Sequence, residues 1–343
     1  MPPGKRRCKG DKIVTAQQTY TNVCKKLWAY FGGEAPAAVV PADEDLALGV
    51  FAGLYREGFR LAGKRVHILG AGSFADALAA CLKNGGAAGV TVGEVNDDTV
   101  LATGSALRGA PGNTASETTP GGAAYYIRLA GAEEPALARL AGAEGVCDLT
   151  VLPLRSRLLL DAEEADLLTS GGVYPLAAAV GIARGRILGA APAPSEIEEV
   201  VRRYLRGASD IAVTGLRGDG ASAVAEALSR LTRRPLVRVG RGNVAEAFAG
   251  ATGRLFLLEE GVAADPAALA TVVGNGRCVF VAPPLDTLKE GGGDPARAAR
   301  YRSVLGIYTA FCDRTYEHTG DPQDTARRIW DDFLRAPYLK RSK

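Results

Sequence analysis

The sequence has few of the residues that bind transition metals. It holds two histidines, His67 and His318, and its six cysteines include no C-x-x-C pair, which argues against a zinc site. Three cysteines, Cys81, Cys147 and Cys278, lie in apolar stretches. Because free cysteine in such a setting behaves as a small hydrophobic residue, we expect all three to be buried.

Long apolar runs and a strong net charge are also missing. No run approaches the roughly 20 apolar residues that span a bilayer. The N-terminus is basic but no apolar segment follows it, which is not typical of a secretory signal, and we expect a cytoplasmic protein without a membrane partner. The formal net charge of +3 is too small to indicate nucleic acid. The basic start is either a contact for an anionic partner or a solvated tail.

What is present is ordinary for a soluble globular protein. The chain has 343 residues, of which 47% are hydrophobic and 23% charged, and this length predicts two domains. Helices are predicted over Gln17–Phe31, Asp43–Gly58 and Asp324–Leu334. A short charged helix over Ser195–Leu205, with Ser195 and Glu198 as a capping box, is interpreted as part of a linker.

The clearest unit of the first half is Arg65–Val95. RVHIL predicts a buried strand, Gly70-Ala71-Gly72 a tight turn, Ser73–Asn84 a helix and Val90–Val92 the next strand. This is a βαβ unit with G-x-G-x-x-A at its first turn, the pattern of a dinucleotide site. His67, inside the first strand, is interpreted as a core histidine.

The residues of this turn have distinct roles in such a site. Gly70 allows the tight turn, while Gly72 and Ser73 let backbone amides approach a pyrophosphate. Glu94, just past the second strand, accepts from a ribose hydroxyl and favours NAD over NADP. The alternative is a Rossmann-like scaffold with an empty pocket.

A second glycine-rich turn lies in Ile211–Ser222, IAVTGLRGDGAS, between a predicted strand and a predicted helix. It approaches the P-loop pattern G-x-x-x-x-G-K-[ST]. The pattern's glycine and hydroxyl positions hold residues that suit backbone contacts with a phosphate, and its lysine position holds alanine; these residues are Gly215, Gly218, Gly220, Ala221 and Ser222. The turn therefore predicts a binding site for phosphate or ATP that has lost the cation which follows the transferred group.

The first half resembles the nucleotide-binding part of shikimate dehydrogenases, over roughly residues 43–189. The resemblance is carried by EGFRLAGKRVHILGAGSFADALA at 57–79, by Thr118-Thr119-Pro120-Gly121, similar to A-T-P-x-G, and by the run 146–189. It implies a cofactor role for Thr119. It also shows losses, because Val151-Leu152-Pro153 replaces Y-N-P and Ala179 replaces a substrate-contacting glutamine. Only about 40 residues precede the match, so we expect no counterpart of the family's catalytic lysine and aspartate.

The second half resembles shikimate kinase, from about residue 209 to 336. The family's carboxylates for Mg²⁺ and shikimate fall on Arg238 and Gly240, and two of its pocket glycines fall on Glu259 and Glu260. The lid is reduced to residues 291–301. GIYTAFCD at 306–313 keeps the family tyrosine as Tyr308, while the family arginine is Val304; Arg300 and Arg302 are expected to lie on the surface rather than replace lost arginines.

These features predict an α/β protein, a Rossmann-like domain followed by a P-loop kinase-like α/β domain. The predicted parts are a basic segment at 1–40, the first domain at 41–189, a linker at 190–208 and the second domain at 209–343. Strands are predicted near 65–69, 90–93, 146–151, 211–214, 254–258 and 277–281.

Three functions remain open from the sequence. The leading one is a degenerate fusion that acts as a non-catalytic scaffold or regulator of the aromatic-precursor pathway, binding NAD, and ATP or phosphate, only weakly. Its partner would be another enzyme of that pathway or a second copy of the chain. The second is a weak or altered kinase or dehydrogenase, with missing parts supplied by a partner, and the third is an unrelated nucleotide or anion sensor.

Overall fold

The computed structural model describes residues 16–36, 39–93, 123–140, 142–240, 242–248, 252–259, 262, 272–284 and 295–336. Among these residues no helix is both long and apolar enough to cross a membrane. The strands form two separate five-stranded sheets, and every strand pairing within them is parallel.

The first sheet has the order β2-β1-β3-β4-β5. Its strands are β1 (Arg65–Leu69), β2 (Gly89–Gly93), β3 (Tyr125–Arg128), β4 (Gly145–Asp148) and β5 (Leu168–Gly171). The chain runs outward from β1 to β2 on one side and continues from β3 to β5 on the other. The carboxyl ends of β1 and β3 therefore form a topological switch point, where open α/β sheets bind ligands.

Helices of the first half pack on this sheet and on each other. They are α1 (Ala16–Tyr30), α2 (Asp43–Arg56), α3 (Ser73–Asn84), α4 (Arg157–Glu164), α5 (Val173–Leu188) and α6 (Pro194–Ala208). Helix α2 lies close against α5, since a Cβ on Gly49 would be 2.3 Å from the carbonyl oxygen of Pro175. Small residues at this crossing therefore let the two helices approach.

The helix of the predicted linker, α6, differs from the sequence prediction in its start. It begins at Pro194, and the carboxylate of Glu196 accepts a hydrogen bond from the backbone N–H of Ala193 at 2.8 Å. The predicted capping box of Ser195 and Glu198 is therefore wrong. An apolar stripe that includes Ile197 and Tyr204 packs with α1 and α5 in one buried cluster, so one face of the helix contributes to a core.

The second sheet has the order β10-β9-β6-β8-β7. Its strands are β6 (Asp210–Gly215), β7 (Leu236–Val239), β8 (Leu255–Leu258), β9 (Gly276–Ala282) and β10 (Arg314–Glu317). The helices are α7 (Ala221–Thr232), α8 (Val244–Phe248), α9 (Pro295–Phe311) and α10 (Pro322–Arg335). The glycine-rich turn follows the central strand β6 and opens α7, so the P-loop-like element lies in the middle of the sheet.

The predicted fold class is confirmed, with a Rossmann-like α/β sheet followed by a P-loop kinase-like α/β sheet. All six predicted strands are present within a few residues of their expected bounds. Strands β3, β5, β7 and β10 are not among those six. Each is only four residues long, and β5, β7 and β10 are edge strands with polar side chains. The expectation that Cys81 is buried is wrong, since it is half-exposed, whereas Cys147 and Cys278 are buried.

The two sheets are joined by a buried contact. Arg155, in the loop after β4, is 1% exposed and pairs with Glu163 at 3.3 Å. The Nη2 group of Arg155 donates to the carbonyl oxygen of Val273 at 2.7 Å, and its backbone N–H donates to Gly274 at 2.8 Å. Leu160 of α4 lies in the core of the second half. The loop after β4 is therefore packed into the second half.

Candidate functional site

The turn between β6 and α7 keeps the backbone shape of a phosphate-binding loop. Gly218 and Gly220 have φ values of +94° and +89°, in the left-handed region that favours glycine. The first helical hydrogen bond runs from the N–H of Val224 to the carbonyl oxygen of Gly220 at 2.9 Å. The N–H groups before Val224 have no partner inside the helix and point toward its N-terminus.

Side chains of this protein occupy the surroundings of that turn. A Cβ on Gly220 would lie 2.3 Å from Cδ2 of His318, so the imidazole packs directly on the glycine. Asp219, inside the turn, is 3% exposed. The pKa of Tyr301 on α9 is raised, mainly by burial and to a smaller extent by the negative charge of Asp219. The Asp219 carboxylate is therefore near the Tyr301 ring. A buried acid inside the turn opposes the binding of a phosphate there.

Ala221 is at the position of the P-loop lysine and belongs to the hydrophobic core. It is 7% exposed and packs with Val224 and Ile211 in one cluster. A methyl group at this position supplies neither charge nor hydrogen bond. Ala221 is therefore a packing contact at the position where the P-loop pattern has its lysine.

Arg238 contacts Ser222, the residue at the hydroxyl position of the P-loop pattern. Nη1 and Nη2 of Arg238 donate to Oγ of Ser222 at 3.2 and 3.3 Å, and Nη2 is 2.8 Å from Oε1 of Glu226. Ser222 is the hydroxyl that a P-loop offers to Mg²⁺, together with a carboxylate on a neighbouring strand. Here the hydroxyl accepts from a cation and the carboxylate is missing, so these residues do not fit Mg²⁺. No group of three or more acidic, histidine or cysteine side chains suited to a metal exists among the described residues.

The other residues that the kinase resemblance singles out make contacts within the protein. A Cβ on Gly240 would lie 2.9 Å from Oε2 of Glu259, so the Glu259 carboxylate covers this glycine. Gly240 is the position where the kinase resemblance implies a protein carboxylate that binds the substrate. Tyr308 is 2% exposed and stacks on Phe280 with ring centroids 4.5 Å apart, which makes it a core residue. Arg300 and Arg302 lie on the exposed side of α9, and residues 295–301 of the predicted lid form the start of that helix. Glu260 lies outside the described residues.

The dinucleotide-type turn of the first half is open. Gly70 and Gly72 have φ values of +125° and +107°, and a Cβ on Gly72 would meet no atom within 4 Å. Ser73 is exposed at the first position of α3, while Ala75 is buried against the sheet. The structure thus brings Gly70, Gly72 and Ser73 together at the start of α3, where Gly72 and Ser73 are exposed and Gly70 is buried. Glu94 and Thr119, the other predicted cofactor residues, lie outside the described residues.

Two positions that the dehydrogenase resemblance assigns to substrate contacts hold buried apolar residues. Ala179, where the family has a glutamine, is fully buried at the α2–α5 crossing, with its Cβ 2.9 Å from the Cβ that Gly49 would carry. Val151, in the segment that replaces Y-N-P, is also buried. His67 is 2% exposed, its Nδ1 lies 2.7 Å from Oγ1 of Thr91, and burial lowers its pKa. These contacts are those of core residues.

Sequence reasoning missed two residues of the P-loop region, Asp219 and His318. An acidic residue inside a phosphate-binding turn is a signal that the sequence already contains. His318 follows β10, far from the turn in sequence, and only the sheet order brings it to Gly220. No local pattern indicates that contact.

Comparisons with known proteins give likenesses of fold. No family model matches this sequence, and no curated protein matches it. A chorismate mutase/shikimate 5-dehydrogenase fusion protein from Clostridium acetobutylicum is 14% identical over 47% of this chain and 60% of its own, with a TM-score of 0.37. Shikimate 5-dehydrogenase from Thermus thermophilus, solved with shikimate, is 28% identical over 47% and 61%, with a TM-score of 0.33.

Kinase structures match as well. Shikimate kinase from Acinetobacter baumannii, solved with shikimate, is 14% identical over 39% of this chain and 97% of its own, with a TM-score of 0.33. By contrast, the present chain spans only 60% and 61% of the length of the two dehydrogenase structures. The likenesses concern the fold, and they fall on the two families, shikimate dehydrogenase and shikimate kinase, that the motifs predicted.

Proposed function

We propose that this chain is a non-catalytic relative of shikimate dehydrogenase and shikimate kinase that serves as a scaffold or regulator of the aromatic-precursor pathway. The observation that carries the proposal is Arg238. It hydrogen-bonds Ser222 and pairs with Glu226 at 2.8 Å, at the position where phosphoryl transfer needs a metal. A guanidinium in that position repels Mg²⁺ and occupies the hydroxyl that would bind it.

The other substitutions act in the same direction. Phosphoryl transfer is catalysed by positioned charge, and the loss of one such group costs about 10²–10³ in rate. Here the lysine position holds a buried alanine and the turn holds a buried aspartate. A glutamate also covers Gly240, on the side where an anionic substrate would approach. Several such losses among the described residues together lower the expected rate of phosphoryl transfer by several orders of magnitude.

The first half supports binding without catalysis. Its turn at Gly70–Ser73, of which residues 71–73 are exposed, suits a pyrophosphate, so weak NAD binding is part of the proposal. The partner in the proposal is a pathway enzyme or a second copy of the chain. Light scattering of the purified protein, alone and mixed with an intact shikimate kinase, measures both associations.

A coupled assay of ADP release tests the proposal. The wild type and the variants Ala221→Lys, Arg238→Asp and their combination are assayed with Mg²⁺ and ATP, with shikimate present and absent. We expect no turnover by the wild type and a gain of ATP affinity in Ala221→Lys before any gain of activity. The matched control is Arg230→Asp, the same change of charge in the last turn of α7.

The alternative enzyme function makes the opposite prediction. Shikimate-dependent release of ADP by the wild type, or shikimate-dependent reduction of a nicotinamide cofactor, would establish a weak or altered enzyme and overturn the proposal. ATP binding that rises equally in Arg230→Asp and Arg238→Asp would show that the metal-side arginine is not the obstacle.

A further inference from the structure

A cavity of about 970 Å³ lies at the carboxyl edge of the first sheet. Its first-half lining comes from segments that follow β1, β3 and β4, and it includes Ala71, Leu129 and Val151. The cavity therefore lies at the switch point between β1 and β3, where α/β sheets bind ligands. Its volume is at the upper end of the range for small-molecule sites, about 300–1,000 Å³.

Other parts of the chain complete its wall. Tyr20 of α1, Leu46 of α2, and Phe248, Thr252 and Asn275 of the second half all line it. Oδ1 of Asn275 also accepts a hydrogen bond from the N–H of Leu154 at 3.3 Å, which ties this part of the wall to the loop after β4. The cavity is thus composite, and a molecule inside it contacts both halves.

The lining has no charged side chain among the described residues. The adjacent Arg128 is engaged elsewhere: it pairs with Asp148 at 2.8 Å and donates to Oγ1 of Thr150 at 3.0 Å and to the carbonyl oxygen of Ala132 at 2.7 Å. A carboxylate or phosphate in the cavity would lose its water without gaining a cation, which is unfavourable. Hydroxyl and amide groups of Tyr20, Thr150 and Asn275 offer a few hydrogen bonds instead.

We propose that this cavity binds a small neutral molecule with an apolar ring system, and that the molecule joins the two halves. Apolar walls with a few placed polar groups are the usual composition of such a site. Shikimate carries a carboxylate for which the described lining offers no cation. The pyrophosphate of NAD, in the proposed function, binds at the amides of Gly72 and Ser73, which are not part of that lining. The inference does not rest on the absence of catalysis, because a neutral ligand suits a regulator and an altered enzyme equally.

Fluorescence titration with the neutral probe N-phenyl-1-naphthylamine tests the site. We expect saturable enhancement by the wild type and at least tenfold weaker binding by Leu46→Trp, which fills the cavity from α2. Leu48→Trp is the matched control, since Leu48 is two residues away on the same helix and 43% exposed. Circular dichroism melting checks that both variants are folded.

A second pair of variants tests the contribution of the second half. Thr252→Trp should also weaken the probe at least tenfold, whereas Leu231→Trp, at a 46% exposed position of α7, should leave it unchanged. Equal binding by the wild type, Leu46→Trp and Thr252→Trp would overturn the site. Competitive displacement of the probe by millimolar shikimate would overturn the neutral class of ligand. The ADP-release assay uses variants at Ala221 and Arg238, whereas the probe titration uses variants at Leu46 and Thr252. A negative result in one experiment therefore does not decide the other proposal.

Discussion

Asp210 begins the central strand of the second sheet with a carboxylate that is 3% exposed. Its Oδ1 accepts from the backbone N–H of Arg254 at 2.8 Å, while Oδ2 has no hydrogen-bond partner among the described residues. Burial raises the pKa of Asp210 from 3.8 to about 6, against smaller opposing effects of Arg254 and Arg234. The ionised form is thus disfavoured in the folded protein.

This shift predicts a stability that falls as pH rises. Below pH 3.8 Asp210 is protonated in both the folded and the unfolded state, so it does not affect the free energy of unfolding. As pH rises from 3.8 through about 6, Asp210 ionises in the unfolded state but stays largely protonated in the folded state, so the free energy of unfolding falls. The full shift corresponds to at most about 3 kcal/mol. Asp210→Asn should remove this loss and keep the acceptor for Arg254.

Urea unfolding at pH 4, 5, 6 and 7 measures the effect. We expect the free energy of unfolding of Asp210→Asn to exceed that of the wild type increasingly from pH 4 to pH 7. Asp331→Asn, on the exposed side of α10, is the control and should follow the wild type at each pH. Parallel curves for the wild type and Asp210→Asn would show that Asp210 does not titrate in this range.

Cys278 and Cys312 form a second residue-scale feature. Their sulfur atoms are 3.6 Å apart, with Cys278 buried in β9 and Cys312 half-buried after α9. We expect diamide to oxidise the pair: the two thiols lose two protons and two electrons, which reduce the diazene to a hydrazine, and one S–S bond forms. Mass spectrometry of peptides should find the Cys278–Cys312 crosslink, and Cys81→Ser should not affect it. Free thiols at both positions after treatment would contradict the prediction.

At the scale of elements, the turn before α3 carries the NAD prediction. We expect calorimetry to show weak NAD binding that Gly72→Asp abolishes, because the new side chain brings negative charge to the pyrophosphate position and strains a backbone at φ +107°. Gly189→Asp controls for the strain, since Gly189 has φ +77° and an equally open Cβ position at the end of α5.

Three outcomes would contradict the NAD prediction. No heat with NAD or NADP at millimolar concentration would remove the site. Equal heat from the wild type and Gly72→Asp would place the binding elsewhere. Equal loss in Gly72→Asp and Gly189→Asp would assign the effect to folding rather than to the turn.

Elements with a strong local pattern could be predicted from the sequence. Helix α3 has the bounds that were expected, because Gly72 and Gly85 mark both of its ends and its apolar face is regular. Helix α6 was interpreted as a linker because its charged residues dominate the composition, although Ile197 and Tyr204 are buried. Strand β10, with the sequence RTYE, has no apolar run and is recognisable only by its pairing with β9.

The candidate site likewise has features that the sequence predicts and features that depend on tertiary structure. The glycines at Gly218 and Gly220 could be predicted, since their spacing is a local property. The pairing of Arg238 with Ser222 and Glu226 could not, because it depends on β7 and α7 meeting across the sheet edge. The sequence already places Arg238 where the kinase resemblance implies a carboxylate, and the tertiary structure adds its partners Ser222 and Glu226.

At the scale of the whole molecule, buried polar contacts join the two halves. Arg155 reaches carbonyl oxygens of the second half, including that of Gly276 at 3.3 Å, while its charge is balanced by Glu163. A separate contact runs from Nη2 of Arg206 in α6 to the carbonyl oxygen of Leu334 in α10 at 2.8 Å. The composite cavity lies beside the first of these contacts, so the junction and the proposed ligand site depend on the same loop.

We therefore expect Arg155→Met to lower the free energy of unfolding by about 3–5 kcal/mol, because it leaves Glu163 as a buried charge without its counter-ion and removes the bonds to the second half. Arg157→Met is the matched control: Arg157 is 63% exposed and its pair with Asp161 is worth about 0.2–1 kcal/mol. The double change Arg155→Met with Glu163→Met should recover part of the loss, since the buried charge is gone. Thermal unfolding measured by calorimetry should also show a second transition in Arg155→Met, as the halves unfold separately. Equal losses in Arg155→Met and Arg157→Met, with one transition in both, would mean that the halves are held together by apolar contacts such as Leu160 rather than by the buried arginine.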